Sequence, residues 1–192
     1  MNLSALLLGE LQQEAATTRK LLERVPQESF AWQPHDKSMK LGQLSAHITN
    51  LLNKWLGATL RLNELDLAQE FQPFQPDSTA DLLTAFDESI NQAVELLQTQ
   101  PNEIWFSLWR LRHADRILFE MPRYAVFRAM ILNHIIHHRG QLSVYLRLLD
   151  VPLPFIYGPT ADETPPFLSS DNEEQMLHPE LPMQENEQTI VE

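Results

Sequence analysis

The chain has 192 residues, of which 43% are hydrophobic, and it contains five glycines and no cysteine. This length suits one domain with a real core, and so few glycines disfavour a sandwich or barrel rich in tight turns. The absence of cysteine excludes disulfides, thiolate nucleophiles and cysteine-based metal sites.

The formal net charge of −12 is concentrated at the C-terminus, because residues 161–192 hold nine acidic residues and no Lys or Arg. The remaining 160 residues carry 17 acidic and 14 basic side chains, or about −3. A near-neutral body offers no basic surface for counterion release, so we expect no nucleic-acid partner.

No apolar run reaches the roughly 18 residues that a membrane span requires, so we expect no membrane partner. The N-terminal stretch MNLSALLLGE lacks the basic start and the long apolar region of a secretory signal. We therefore expect a cytoplasmic protein.

Apolar residues recur at helical spacing in four long segments of the chain. Pro26 ends the first helix, and Ser38 is the candidate N-cap of the second. Ser78 with Asp81 resembles a capping box for the third helix, and Pro122 suits the first position of the fourth. The predicted helices span about residues 2–24, 38–62, 78–100 and 122–149.

Residues 103–121 are rich in aromatic and β-branched side chains. They favour a short hairpin or an irregular excursion that turns near 113–115, although a continued helix also fits. The fold class predicted is all-α, a four-helix bundle with this excursion before the last helix. We assign residues 1–163 to the bundle. Residues 164–192, acidic and proline-containing, form a predicted tail that is disordered or loosely docked.

Three of the seven histidines lie in the segment NHIIHHRGQ on the fourth predicted helix. His134 and His138 are about 40° apart on a helical wheel and both face the core stripe that includes Phe127, whereas His137 lies at its margin. Buried imidazoles need metal or hydrogen-bond partners, and spacing and register leave the two options about even. His47 on the second helix can face inward as a third ligand. Three imidazoles and a water would form an open site for zinc or a neighbouring divalent metal.

Other side chains on the fourth helix have predicted supporting roles. Gln141 lies on the core stripe and is a candidate to hydrogen-bond within the site, and His137 is a candidate to orient a ligand. Arg139, about 120° from the stripe centre, is expected in a surface or interface salt bridge. The far side of the helix is also apolar, through Leu132, Ile136 and Leu146, which fits either a dimer interface or cover by other segments.

Five sequence blocks together resemble the DinB/YfiT-like superfamily. They are WQPHDKSM (32–39), LSAH (44–47), NHIIHHRGQ (133–141), YLR (145–147) and YGPTADE (157–163). The resemblance implies an up–down–down–up four-helix bundle, commonly dimeric, in which three histidines bind a metal that is often zinc or nickel. Carried over position by position, the ligands are His47, His134 and His138.

The resemblance leaves the reaction open, because such proteins include thiol S-transferases, a thiol-dependent isomerase and proteins described as metal-dependent hydrolases. The leading hypothesis is a transferase in which the metal binds a low-molecular-weight thiol as thiolate, with a small-molecule substrate and a homodimeric assembly. A hydrolase would need a carboxylate near the metal; Asp162 and Glu163 are the nearest candidates, but they are more simply solvated. The third hypothesis is a non-catalytic module in which the metal only joins two helices.

Overall fold

The computed structural model describes residues 2–69 and 71–168, together with the side chains of all of these except Asn53. The described residues fall into two units, Met1–Pro154 and a second unit that begins at Phe155. The second unit contains a turn at 160–163 and a 3₁₀-helix, Pro166–Leu168. The boundary after residue 163 stays a prediction, and the predicted tail from residue 169 onward lies outside the described residues.

Four helical segments form the first unit, as the apolar stripes predict. The first segment is α1 (Leu3–Leu22), and the third is α4 (Thr79–Thr99). The second segment joins α2 (Leu41–Asn50), a π-helix (Leu51–Leu56) and α3 (Gly57–Arg61). The fourth segment joins α5 (Arg123–Val126), a π-helix (Phe127–Leu132) and α6 (Asn133–Leu148). Both α1 and α2 pack against α4 and α6. The up–down–down–up order of directions stays a prediction. Within the described residues, no helix is both long enough and apolar enough to cross a bilayer.

Side-chain caps fix where the helices begin. Ser78 Oγ accepts a hydrogen bond from the Asp81 backbone N–H at 3.0 Å, so the predicted cap of α4 is confirmed. The predicted cap at Ser38 is wrong, because α2 begins at Leu41. The Lys40 backbone N–H donates to Gln43 Oε1 at 3.0 Å, and this bond satisfies an amide at the helix start. Two short 3₁₀-helices, Gln27–Ser29 and Asn102–Phe106, lie in the connections.

A three-stranded sheet accompanies the helices, so the strictly all-α prediction is wrong although the fold is mostly helical. The predicted hairpin is present: β2 (Leu108–His113) and β3 (Arg116–Pro122) pair antiparallel, with Ala114 at φ 50° in the turn. The third strand, β1 (Glu64–Asp66), pairs parallel to β2 and was not predicted. Three residues are too few to show a period of two.

Arg139 forms a salt bridge, as predicted, but the pair is buried within the chain rather than at the surface or at an interface. Its side chain is 1% exposed, and Nη2 lies 2.7 Å from Glu14 Oε2 on α1. The π-helix Phe127–Leu132 explains the error, because its wider turns rotate every later residue relative to a straight helical wheel. Leu132 and Leu146 belong to the main core, whereas Ile136 is half-buried, so most of the apolar face predicted for association is covered within the chain.

Candidate metal centre

The structure brings His47, His134 and His138 together between α2 and α6. One ring nitrogen from each lies within 4.8 Å of the other two. The ring centroids of His47 and His138 are 4.6 Å apart, those of His134 and His138 are 4.6 Å apart, and those of His47 and His134 are 5.3 Å apart. Zn–N bonds of about 2.0–2.1 Å place tetrahedral ligand nitrogens roughly 3.4 Å from one another. The three nitrogens, within 4.8 Å of one another, exceed that separation by at most about 1.4 Å.

Local helix geometry accounts for this convergence. His134 and His138 lie one turn apart on α6, so their side chains share a face. His47 lies on α2, which packs directly against α6. The two π-helices of the bundle pack against each other next to these segments. Such π segments occur frequently at functional sites, because they re-aim the side chains that follow them.

His138 carries a buried nitrogen that has no partner among the described residues. Its Nδ1 lies 2.7 Å from Gln141 Oε1, and because that oxygen only accepts, the proton is on Nδ1. Nε2 is therefore an unprotonated acceptor, and it is buried without a hydrogen bond. An unsatisfied buried acceptor costs free energy. Nε2 of His138 is therefore suited to coordinate a cation.

Burial lowers the pKa of all three imidazoles below the ordinary value for histidine. For His138 the pKa falls to about 4, mainly through burial and further through His47, His134 and His137. The pKa values of His47 and His134 are lowered as well, first by burial and then by a neighbouring histidine. The three rings are therefore neutral at pH 7, which is the form that binds metal. The donor set fits a divalent ion of the zinc–nickel type.

Two predicted supporting residues lie beside the cluster. Gln141 is exposed rather than core-facing, yet its amide holds His138 as described above. His137 is exposed, with its ring centroid 4.9 Å from that of His138. His134 has a hydrogen bond with the backbone of Met130, which fixes one of its ring nitrogens and leaves the other available.

Two adjoining clefts open beside His47. The first has a volume of about 310 Å³ and the second about 220 Å³. His47, Asn50, Phe71 and Pro73 line both of them. The remaining lining residues are Met39, Gln43, Ala46, Phe74 and Gln75 in the first cleft, and Leu51, Lys54 and Trp55 in the second. Among the described residues, no carboxylate lines either cleft.

Asn50 holds one wall of these clefts in place, and the sequence reasoning missed it. Its side-chain amide accepts from the Phe74 backbone N–H at 3.2 Å and donates to the Phe74 carbonyl at 3.4 Å. The segment 71–76, which has no regular structure, is thereby tied to α2. Asn50 follows His47 by three residues and so shares its helix face, a signal that the sequence did contain.

The chain is therefore a helical protein with a candidate metal centre, in which a four-helix bundle directs three neutral imidazoles toward one point. Within this class the chain belongs to the DinB family, whose profile matches residues 1–175.

Similar proteins come from two Bacillus species. The protein YrdA of Bacillus subtilis strain 168 is 26% identical over 155 residues, which are 80% of this chain and 87% of YrdA. A solved DinB-like protein of Bacillus subtilis, YjoA, has a TM-score of 0.62 at 19% identity over 78% of this chain and 96% of its own. A solved DinB-like protein of Bacillus cereus ATCC 10987 has a TM-score of 0.61 at 23% identity, over 79% of this chain and 95% of its own. At these identities the two structures show the shared fold alone.

Proposed function

We propose that His47, His134 and His138 hold one divalent metal ion, zinc or nickel, in a centre that has catalytic access to solvent. The unpaired, buried Nε2 of His138 is the observation that carries this proposal. Bound there, such an ion would lower the pKa of a coordinated thiol or water. Three protein ligands leave a coordination position for an outside molecule, as in catalytic rather than structural zinc sites.

The reaction we propose is transfer of a low-molecular-weight thiol to an electrophilic small molecule. The thiol loses its proton to solvent, and its sulfur forms a bond to carbon as the bond from that carbon to its leaving group, or to an epoxide oxygen, breaks. The leaving group departs as an anion, or the epoxide oxygen takes a proton from solvent. The chain has no cysteine, so the sulfur comes from a separate molecule. The clefts beside His47 provide room for it, and Phe71 and Phe74 give them apolar walls that suit an organic substrate.

The protein's own residues supply position rather than proton transfer in this proposal. Gln141 keeps the proton on Nδ1 of His138, so the lone pair of Nε2 is available to the ion. Asn50 holds the segment 71–76 against α2 and so preserves the shape of the cleft. The hydrolase alternative is weaker, because water activation usually relies on a nearby carboxylate and none lines the described clefts.

The assembly is part of the same proposal, and we expect a homodimer. Apolar side chains on the hairpin and the neighbouring helical segments remain exposed within one chain: Phe106, Leu108, Ile117, Leu118 and Tyr124. Of these, Phe106 and Tyr124 lie side by side, with ring centroids 6.0 Å apart, and adjoining exposed apolar side chains are typical of an interface. Light scattering after size exclusion, across a range of protein concentrations, gives the mass directly.

A direct assay tests the proposed reaction. Metal-loaded protein is incubated with a panel of thiols and either a haloarene or an epoxide, and the thioether is quantified. We expect a rate above that of His138→Ala, while His35→Ala, which alters an exposed histidine outside the cluster, retains the wild-type rate. Equal rates for wild type and His138→Ala with every thiol would refute the transferase.

A further inference from the structure

We propose that Lys54 is the anion-binding residue of the cleft beside His47, and that the small ligand carries a carboxylate as well as its thiol. The inference rests on the proposed function for the thiol, but the role of Lys54 as a cation in the cleft stands on its own geometry. Together, the thiol and the carboxylate define the ligand as an anionic thiol of small-peptide size.

Lys54 and His47 line the same cleft and lie two helical turns apart along one helical segment. Both line the cavity of about 220 Å³, with Asn50 and Leu51 between them on the same helical segment. Seven residues separate them, which corresponds to roughly 10 Å along a helix. A ligand can therefore place one group near the histidines and a second group near the ammonium at the same time.

The Lys54 ammonium is desolvated without a carboxylate partner in the described part of the chain. Its Nζ lies 4.1 Å from the centroid of the Phe71 ring, and burial lowers its pKa. The side chain of Lys54 is half-buried, and an aromatic face offsets the partial desolvation of its cation only in part. Five arginines of the chain, by contrast, each pair with a carboxylate: Arg19, Arg110, Arg112, Arg128 and Arg139.

The acidic residue of the adjoining cavity does not fill this role. Asp66 and Lys54 both line a cleft of about 430 Å³, but the carboxylate of Asp66 is engaged elsewhere. Its Oδ1 accepts from the backbone N–H groups of Ala68 and Ala114 at 2.9 and 3.0 Å, and Oδ2 lies 3.1 Å from Arg112 Nη1. Among the residues that the structure describes, no carboxylate therefore competes for the ammonium of Lys54, and an anionic group that enters from outside can pair with it.

The test compares ligands that differ in charge but keep the same skeleton. Zinc-loaded, full-length protein is titrated by calorimetry with glutathione, which has two free carboxylates, and with its diethyl ester. We expect the wild type to bind glutathione roughly tenfold or more tightly than the diester, since a bond between charged groups has about that effect on affinity. Lys54→Met should abolish the preference with the zinc content unchanged, and Lys54→Arg should keep it.

Controls separate this inference from the proposed function. Lys20→Met removes the same charge from α1, which does not line the cleft, and should keep the preference for glutathione. S-methylglutathione keeps both carboxylates but has no free thiol. If it binds as tightly as glutathione and with the same dependence on Lys54, the anion site stands and the thiol role fails. Equal affinity for glutathione and diester, no measurable binding of glutathione, or a preference that survives Lys54→Met would overturn the inference.

Discussion

Oε1 of Gln141 lies 2.7 Å from Nδ1 of His138, one turn further along the same helix. This contact determines which nitrogen of the ring carries the proton. It leaves the lone pair of Nε2 available to a metal ion. Gln141, an exposed residue of α6, thus orients the buried ring of His138. The metal affinity of the cluster should depend on both.

Gln141→Leu tests this orientation. Without the amide, the proton of His138 has no fixed acceptor and the ring is free to rotate, so we expect zinc affinity to fall about 10- to 100-fold. Competition with a chromophoric chelator measures the change. Gln98→Leu, an exposed glutamine on α4, is the matched control and should leave the affinity unaltered. Unchanged affinity in Gln141→Leu would remove this residue from the site.

The pKa shifts predict how the stability of the metal-free protein depends on pH. His138 has a pKa of about 4 when folded and 6.5 ordinarily, so the unfolded chain binds more protons between these values. The contribution of His138 to the free energy of unfolding is therefore complete above pH 6.5. It decreases as the pH falls toward 4, by on the order of 3 kcal/mol.

Urea denaturation at a series of pH values measures that dependence. We expect His138→Gln to flatten the profile between pH 6.5 and 4, whereas His35→Gln, which changes an exposed histidine, keeps the wild-type slope. Identical slopes for wild type and both variants would show that His138 is not desolvated in the folded protein.

The ion pair between Glu14 and Arg139 should contribute strongly to stability. Both side chains are buried, and Arg139 Nη1 also donates to the Glu14 carbonyl at 3.1 Å and to Thr18 Oγ1 at 3.3 Å. Removing one partner leaves a buried charge, so Glu14→Ala should lower the free energy of unfolding by about 3–5 kcal/mol. On the same helix, Glu10 pairs with the half-buried Arg128, and Glu10→Ala should cost at most about 1 kcal/mol. Similar losses in the two variants would contradict a buried pair.

Asn50 should act on the cleft wall rather than on the metal. Asn50→Ala removes both hydrogen bonds to the Phe74 backbone and should cost about 1–3 kcal/mol. Hydrogen–deuterium exchange of the Phe74 amide should speed up, while zinc affinity stays near that of the wild type. Asn91→Ala, at an exposed position on α4, serves as the comparison. A protected Phe74 amide in Asn50→Ala would mean that other contacts hold this segment.

The sequence was sufficient for the four helical segments and for the pair formed by His134 and His138, because both depend on local spacing. Apolar stripes predicted the four helical segments, and the interval between His134 and His138 predicted a shared face. The third histidine is different, because only the packing of α2 on α6 brings His47 to the other two. That packing was an implication of the family resemblance and could not be obtained from the spacing.

The errors at Arg139 and at the strand Glu64–Asp66 share one physical origin, which is structure without a local period. A helical wheel assumes a constant turn per residue, and the π-helix Phe127–Leu132 breaks that assumption, so Arg139 was assigned to the surface. The strand Glu64–Asp66 exists through its pairing with β2, more than forty residues away. Lys54 escaped notice because its significance depends on Phe71, which tertiary folding places beneath its ammonium.

The most direct test of the account is the metal content of untagged protein. Elemental analysis of the wild type is compared with a variant carrying His47→Ala, His134→Ala and His138→Ala, after both are exposed to zinc or nickel and dialysed. We expect close to one equivalent of metal per chain in the wild type and almost none in the variant. Absence of metal from the wild type, or equal loading of the two proteins, would contradict a metal centre at these three histidines.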